Sequence, residues 1–480
     1  MHSTRLLRPA AAFASALAFV SAPLGAQAPP PSAYTRRFIS VDAPVTAITH
    51  VRVLDGTGVP PREEQTVVMT NGRITAVGAT GRTTVPAGAI VIDGTGKSVM
   101  PGLVMMHEHL FYTSQQPLIY HEQSSFPRLY LGAGVTTMRT GGSMHPIADL
   151  NIKKYIDAGK QPGPKIDVTG PYINGAGMDA PQMPELATAD DGRKLVAEWA
   201  DKGATSFKAY MFVSRVVLGA AIVEAHKRGL KVTGHLCSVT FREAAALGID
   251  NLEHGLTAST DFVPGKKPDL CPLGDGPTVA NQALGVESDS IKSLIAELVK
   301  RKVAITSTLA VFETFAPGRP PITDATLGAL GPQMRAYVAG VRANVDQQPP
   351  SARGKMLTVE MAFERAFALA GGTLLAGTDP TGYGGAIPGY GNWRELELLV
   401  EAGFTPLEAI TIATKNGAAY LGRLDQVGTI AVGKQADLLL VNGNPAANIS
   451  DIMKLETIFK DGVGFDSVKL LASVKGAVGL

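Results

Sequence analysis

The chain has 480 residues, with 44 Lys plus Arg against 42 Asp plus Glu, nine His and two Cys. This length allows a large buried core, two Cys exclude a disulfide scaffold, and 45% hydrophobic with 18% charged residues excludes a disordered chain. A formal charge of +2 excludes an extended basic surface for nucleic acid, which leaves a globular protein, most often an enzyme.

Residues 1–28 have the pattern of a secretory signal peptide. Arg5 and Arg8 precede a short apolar stretch, and Ala26-Gln27-Ala28 fits a small-x-small cleavage site. The stretch is short for a membrane span, and no later run is long and apolar enough to be one. We therefore predict a secreted or periplasmic protein with no membrane span, in which residues 29–47 form a linker.

Short β-rich pieces occupy both ends of the remaining chain. Residues 48–93 contain several strand-like runs with the hairpin signal Asn71-Gly72, and residues 428–462 contain a matching set. Because the two sets bracket a long middle section, we predict a composite β-sandwich domain built from residues 48–100 and 423–480.

The middle section alternates strand-like apolar runs with helical segments, a pattern typical of βα units and a parallel sheet. Three helices are predicted at residues 215–229, 290–302 and 358–372. The strand-like runs number eight: SVMPGLVMMH, GVTTMRT, PKIDVTG, ATSFKAY, LKVTGH, IDNLEHG, KVAITST and GGTLLAGTD. Eight βα units predict a (β/α)₈ TIM barrel over residues 101–422 within an α/β fold.

Metal-ligating residue types stand at the ends of these runs, where barrel enzymes carry their functional groups. The first run ends in His107-Glu108-His109, whose two imidazoles share one face because strand residues two apart point the same way. The further candidates are Lys208, His235, His254 and Asp379. Each alone has a structural explanation, but their common position predicts a site for zinc or a similar divalent ion.

Lys208 fits such a site only in a modified form. An ammonium group would be repelled by two cations and offers no lone pair. The amine must therefore be neutral, or be converted by CO₂ to an N-carboxylate with two anionic oxygens that could bridge two metals. Otherwise Lys208 points elsewhere or pairs with an acid.

The motifs PGLVMMHEH, SFKAY, VTGHL, NLEHG and LAGTDP, with β-segments on both sides, resemble the metal-dependent amidohydrolase superfamily. The chain is most similar to its imidazolonepropionase-like and Xaa-Pro dipeptidase-like branch, which includes ochratoxin-hydrolysing amidases. The resemblance implies two divalent ions, usually zinc: His107, His109 and Asp379 on the first, His235 and His254 on the second. Lys208, as carboxylysine, would bridge them together with a hydroxide.

The resemblance implies hydrolysis of a small-molecule amide, with dipeptides or N-acyl amino acids as the expected substrates. The two cations would activate the hydroxide, and Asp379 would act as general base and then as general acid. The alternatives are a cyclic amide or lactone hydrolase and a metal-stabilised binding protein on the same fold. A deaminase is disfavoured because His235 is followed by Leu-Cys-Ser rather than by an HxxE pattern. Superfamily members often form oligomers, which allows a homo-oligomer.

Substrate contacts are expected from residues at strand ends: Tyr112, Arg139, Tyr172 and Tyr210. Arg139 either grips a substrate carboxylate or pairs with a carboxylate of the barrel, and Tyr210 either binds the oxyanion or packs against loops. Residues 382–393, with five Gly, form either a lid or a surface connection. Cys237 and Cys271 could form a disulfide, although a buried free thiol is preferred for Cys237.

Overall fold

A computed structural model describes residues 29–113, 119–178, 180, 182–272, 274, 276–348, 352–381 and 385–480. The predicted signal peptide, residues 1–28, lies outside these ranges, as do residues 382–384 of the candidate lid. Within the described ranges, no helix combines the length and apolar character needed to traverse a lipid bilayer.

The strands fall into a large terminal sheet, two parallel sheets and a short hairpin. In chain order they are β1 (Ile39–Val41), β2 (Val45–Val53), β3 (Arg62–Thr70), β4 (Arg73–Ala79), β5 (Ile90–Asp93), β6 (Ser98–Pro101), β7 (Leu103–Glu108), β8 (Phe111–Thr113), β9 (Ile119–His121), β10 (Val135–Thr140), β11 (Lys165–Asp167), β12 (Ser206–Ala209), β13 (Lys231–Gly234), β14 (Asn251–Glu253), β15 (Ala304–Ser307), β16 (Leu374–Ala376), β17 (Leu438–Val441), β18 (Leu455–Lys460) and β19 (Val463–Asp466).

The terminal sheet is built from both ends of the chain. Its order is β1-β19-β18-β17-β6-β2-β3-β4, with β5 paired to β2. Alternate residues of these strands, among them Ile48, Val67 and Leu438, meet in an apolar core. Both ends of the chain thus contribute strands to one mixed sheet, while the composite domain and its two-sheet sandwich stay predictions.

The predicted linker is wrong from residue 33 onward. A helical turn at Ala33–Arg36 is capped by Ser32, and β1 and the start of β2 follow it. The segment is ordered because it has partners: Ile39 pairs with Phe465 of β19, and the Phe38 side chain is buried in the main core. Sequence composition could not reveal these partners, since they lie at the opposite end of the chain.

Eight strands correspond to the eight predicted runs, and every described ladder between them is parallel. They form a three-stranded sheet, β11-β10-β7, and a five-stranded sheet, β12-β13-β14-β15-β16. A parallel bridge between Thr169 and Ser206 connects the two sheets on one side. On the other side the N–H groups of Thr378 and Asp379 donate to the His107 carbonyl. The prediction of a mixed α/β fold with parallel strands is confirmed.

Helices connect these strands and pack around them. The three predicted helices are present as α5, α8 and α12, and Ser214 and Ser288 cap α5 and α8 through their side-chain oxygens. The helices are α1 (Ala33–Arg36), α2 (Phe126–Gly132), α3 (Pro146–Asp157), α4 (Ala189–Lys202), α5 (Arg215–Lys227), α6 (Phe241–Leu247), α7 (Gly276–Ala283), α8 (Asp289–Lys300), α9 (Leu309–Glu313), α10 (Asp324–Ala329), α11 (Pro332–Asp346), α12 (Ala352–Leu369), α13 (Tyr390–Glu401), α14 (Pro406–Thr411), α15 (Gly417–Tyr420) and α16 (Ser467–Ala472).

Cys237 and Cys271 form a disulfide, so the preference for a free thiol at Cys237 is corrected. Their Cα atoms lie 4.8 Å apart, within the range that a disulfide can span. The segment after β14 folds back over the end of β13, where Thr260 donates to the Cys237 carbonyl and Lys266 to the Ser238 carbonyl. The bridge therefore ties this segment to Cys237, which lies two residues after His235.

Candidate active site

The predicted ligands meet at the carboxyl ends of the parallel strands. His107 lies on β7, Lys208 lies on β12, and His235, His254 and Asp379 directly follow or closely follow β13, β14 and β16. Donor atoms of His107, His109 and Asp379 all lie within 4.8 Å of one another, a group that could hold a metal ion. The strand-end argument thus identified residues that the fold brings together.

Asp379 links three of the histidines. Its Oδ1 lies 2.9 Å from His109 Nε2 and 3.6 Å from His107 Nε2, and its Oδ2 lies 3.8 Å from His254 Nε2. Burial opposes ionisation of this carboxyl, but the histidines around it hold the pKa of Asp379 well below its usual range. The carboxylate is therefore anionic and faces the imidazoles of His107, His109 and His254.

Two of these residues have backbone conformations that cost energy. His254 and Asp379 lie in the left-handed region, with φ of 69° and 48°. Neither is glycine, so each conformation costs about 1–3 kcal/mol and persists only because the surrounding structure fixes it. Such strain is concentrated at functional sites, and here it turns both side chains toward the same point.

Unpaired nitrogens support a missing ligand in this group. Among the described residues, His254 Nε2 and His109 Nδ1 are buried and have no hydrogen-bond partner. His254 Nδ1 lies 2.7 Å from the Thr308 hydroxyl, which leaves Nε2 as the group directed into the site. Buried polar atoms without partners are costly, so the donor set fits a cation that would use the lone pair of His254 Nε2.

Three of the imidazoles are held in the neutral form that metal ligation requires. Burial lowers the pKa of His109 to about 4 and that of His235 to about 3, and it lowers the pKa of His254 as well. The ring of His235 lies 4.6 Å from that of His254, centroid to centroid. This second pair of histidines is therefore adjacent to the group formed by His107, His109 and Asp379.

Lys208 points into the site rather than away from it. Its Nζ lies 2.9 Å from His107 Nε2, and the side chain is almost completely buried. Burial lowers the pKa of Lys208 to about 8, so a neutral amine is accessible near neutral pH. The aromatic rings of Tyr172 and Tyr210 flank the amine, with centroids 5.8 and 5.9 Å away.

A buried ion pair beneath the site orients His107. Glu253 Oε2 accepts from His107 Nδ1 at 2.8 Å, and Arg139 Nη2 donates to Glu253 Oε1 at 2.7 Å. Burial opposes ionisation of Glu253, but the hydrogen-bonded His107 imidazole and the Arg139 guanidinium keep its pKa well below the usual range. With Nδ1 donating to a carboxylate, the lone pair of His107 is fixed on Nε2, facing Lys208.

The expectation that Arg139 grips a substrate is corrected by these contacts. Its other donors go to the Met106 carbonyl and to Asn251, and only 1% of the residue is exposed. Arg139 therefore belongs to the second of the two predicted alternatives, pairing with a barrel carboxylate. Glu253 was not singled out from the sequence, although an acid inside a buried strand requires a partner and could have served as a signal.

The predicted tyrosines divide into two groups. Tyr112 lies on the β8–β9 hairpin and is fully buried in the main core, where its ring packs on Phe126. Its predicted substrate contact is therefore corrected, because the chain turns away from the site after His109. Tyr172 and Tyr210 pack against each other at 5.0 Å, and Tyr210 lies 5.0 Å from His235. These two remain candidates for substrate contact.

Glu108 faces away from the cluster, as the strand alternation predicts. Its Oε1 accepts from Thr378 and Asn392 at 3.0 and 2.9 Å, and burial raises the pKa of Glu108 to about 8.

Two glycines make room for the imidazole of His107. A Cβ at Gly141 would lie 2.2 Å from His107 Cδ2, and one at Gly377 would lie 2.5 Å from His107 Cβ.

Three buried glutamates support the loops on both sides of His254. Glu360 Oε2 accepts from the N–H and hydroxyl of Thr257, at 2.7 and 2.9 Å. The Ser307 hydroxyl contacts Glu364 at 2.7 Å and Glu395 at 2.5 Å. Because one hydroxyl carries one hydrogen, one of these two acids must be protonated. Burial raises the pKa of all three acids, to about 8 for Glu360 and about 7 for Glu395.

Comparisons with known proteins give one family match and one short match to a curated relative. Residues 339–470 match the amidohydrolase family. An imidazolonepropionase from Parabacteroides distasonis is 54% identical over 37 residues, which cover 8% of this chain and only 9% of that relative.

Two solved structures match over most of their length. A Bifidobacterium longum protein that carries the name prolidase is 26% identical, with a TM-score of 0.64 over 90% of this chain and 98% of that one. The ochratoxinase of A. niger is 17% identical, with a TM-score of 0.61 over 89% and 96%, and this likeness concerns the fold alone. The chain thus resembles the amidohydrolase family over residues 339–470, and the resemblance predicted from its sequence is confirmed.

Proposed function

We propose that this chain hydrolyses the amide bond of dipeptides or N-acyl amino acids, using a pair of divalent cations that are usually zinc in related enzymes. The observation that carries the proposal is the group of imidazoles and one anionic carboxylate, with a buried His254 nitrogen left unpaired, at the strand ends. The amidohydrolase family match and the prolidase-like relative support the same reaction class.

The proposed ligand sets follow the geometry. His107, His109 and Asp379 would hold the first cation, and His235 and His254 the second. Lys208 lies beside His107, and a carbamate formed on its amine would supply two anionic oxygens between the two sets. When bound, the two cations would make a water molecule more acidic and polarise the carbonyl of the substrate.

The protein's own groups would handle the protons. Asp379 starts ionised, as its lowered pKa requires, so its carboxylate can accept a proton from the attacking water. The same oxygen can then pass this proton to the leaving nitrogen. Tyr210 keeps its phenolic hydrogen because burial raises its pKa, and it can donate to the oxygen that becomes negative in the transition state.

Two structural proposals accompany the reaction. The contacts at both junctions between the parallel sheets support closure into a (β/α)₈ barrel, which would enclose the ligand residues at one end. The disulfide between Cys237 and Cys271 supports export to the periplasm or the exterior, because such bonds persist in oxidising compartments. Edman sequencing of the secreted protein tests the second proposal, with cleavage expected after Ala28.

The reaction is tested with a library of dipeptides and N-acyl amino acids, read by mass spectrometry, with metal content measured on the same sample. We expect turnover that chelation removes and metal restores. Asp379→Asn, assayed with enough added metal to match the wild-type metal content, should lose roughly 10²–10⁴-fold in turnover, whereas Asp190→Asn, at an exposed position, should behave as wild type. Normal turnover by Asp379→Asn would contradict the assigned role.

A further inference from the structure

A cavity lies beside the second pair of histidines. It has a volume of about 220 Å³, and its wall includes His235 together with residues of four other segments. The side chains that determine its character are Ala258, Thr278, Phe312, Phe315 and Met356. The mechanism proposed above assigns no role to any of these five side chains.

The cavity adjoins the candidate active site through the His235 side chain. The His235 ring lies 4.6 Å from the His254 ring, and the Phe312 ring lies 5.5 Å from His254 on the other side. The disulfide ties the segment after His254 to Cys237, two residues after His235. Glu360 accepts from Thr257 and so holds the turn that ends in Ala258. A substrate whose carbonyl is held among the histidines would therefore extend a neighbouring group into this space.

The wall is apolar and suits a bulky uncharged group. Two phenyl rings and a methionine face the cavity, and no Lys, Arg, Asp or Glu belongs to its described lining. A charged group placed there would lose its hydration without gaining a counter-ion, which is unfavourable. Apolar cavities of about 150 Å³ bind benzene, so a volume of about 220 Å³ has room for a phenyl ring with its methylene.

We propose that this cavity is a specificity pocket for a large apolar side chain, of the size of a benzyl group, on one side of the scissile amide. The inference rests on the proposed amide hydrolysis and specifies its substrate class. The free carboxylate of such a substrate must lie outside the cavity, whose described lining includes no Lys or Arg. It must also bind a group other than Arg139, which is already paired with Glu253. Pocket contacts of this kind change kcat/KM by roughly 10–200-fold between a substrate that fills the space and one that leaves it empty.

The test uses dipeptides in which Phe, Ala, Lys or Glu occupies each position in turn. At one of the two positions, we expect Phe to give roughly 10–200-fold higher kcat/KM than Ala, with Lys and Glu no better than Ala. Equal values for Phe and Ala at both positions, or a preference for Lys or Glu, would overturn the proposal.

A pair of adjacent variants locates the effect. Thr278→Trp places an indole in the cavity, whereas Val279→Trp places it on the solvent side of the same helix, where Val279 is 54% exposed. Thr278→Trp should remove the preference for Phe, whereas Val279→Trp should keep both the preference and the wild-type kcat/KM for the Ala substrate. Met356→Ala is a second variant, expected to shift the preference toward 2-naphthylalanine. Retention of the wild-type preference in both Thr278→Trp and Met356→Ala would refute the assignment of the pocket.

A binding measurement separates this inference from the reaction itself. Ketone isosteres of the Phe and Ala dipeptides, in which CH₂ replaces the amide nitrogen, cannot be hydrolysed, and their affinities can be measured by calorimetry. Tighter binding of the Phe isostere, roughly tenfold or more, supports the pocket even if no amide is cleaved. Amide cleavage with equal affinity for both isosteres would refute the pocket and leave the proposed reaction standing.

Discussion

Glu253 provides a sharp test of how the site is held. It contacts the predicted metal ligand His107 but is itself neither a predicted metal ligand nor a predicted substrate contact. Its carboxylate joins His107 to Arg139 and is completely buried. Glu253→Gln keeps the shape but replaces one acceptor oxygen with an NH₂ group. If the amide oxygen of the substituted side chain still accepts from Arg139, its NH₂ group faces His107 Nδ1. That nitrogen must then accept a hydrogen bond instead of donating one. The imidazole hydrogen would move to Nε2, the nitrogen proposed to bind metal.

The expected magnitude follows from the two lost charge-assisted contacts. Removing one member of a buried ion pair leaves the other charge unpaired and costs about 3–5 kcal/mol of unfolding free energy. The Arg139 guanidinium is only 1% exposed and has no other carboxylate among its described partners, so no discount for solvent applies. Loss of a carboxylate that orients a ligand histidine weakens metal binding roughly 10–100-fold, or about 1.4–2.7 kcal/mol.

Two measurements distinguish the effects. Urea unfolding of the metal-free protein reports stability, and competition with a chelating dye reports metal affinity. The matched control is Glu456→Gln, whose partly exposed pair with Lys97 should contribute about 0–1 kcal/mol. In the double variant Glu253→Gln with Arg139→Met, we expect part of the stability to return, without recovery of metal affinity. Wild-type stability together with wild-type metal affinity in Glu253→Gln would refute the reasoning.

Two further predictions concern close packing and pH. Gly141→Ala should reduce metal content, because the added methyl group would displace His107. The control Gly340→Ala has open space around it in α11, so it should leave metal content unchanged and add at most about 1 kcal/mol to the free energy of unfolding. Equal metal content in the two variants would contradict this. Because the pKa of Glu360 rises from 4.5 to about 8 on folding, the folded metal-free protein binds the extra proton, so stability should fall between pH 5.5 and 7.5, by up to about 1.4 kcal/mol per pH unit. Glu360→Gln should flatten this slope in urea titrations, and the 86% exposed Glu287→Gln should not; an unchanged slope in Glu360→Gln would contradict the assignment.

The fold was predictable where local pattern is sufficient. The eight apolar runs mark the parallel strands, and the cap residues Ser214 and Ser288 precede the predicted helices. What could not be predicted depends on partners distant in sequence. The ordered segment before Val45 needs β19, and the disulfide needs the path of the chain between Cys237 and Cys271.

The site shows the same division. The ligand candidates were predictable because they end strands, and His107 and His109 share a face by simple alternation. Arg139 and Glu253, 114 residues apart, meet across the interior, so their pairing depends on which strands lie opposite each other. Tyr112 was misassigned because the turn into β8 directs the chain into the core, and no residue near it signals that turn clearly.

The pairing of β1 with β19 has a consequence for how the protein is made. The Ser40 hydroxyl donates to the Gly464 carbonyl, 424 residues away along the chain. At about 5–20 residues per second, roughly 20–80 s separate the synthesis of the two strands. During that interval β1 lacks its partner and β6 lacks β17, so both present unpaired edges open to misassembly. The terminal sheet can therefore be completed only after β19 has been translated, and a chain that stops before β19 is expected to remain exposed to proteases.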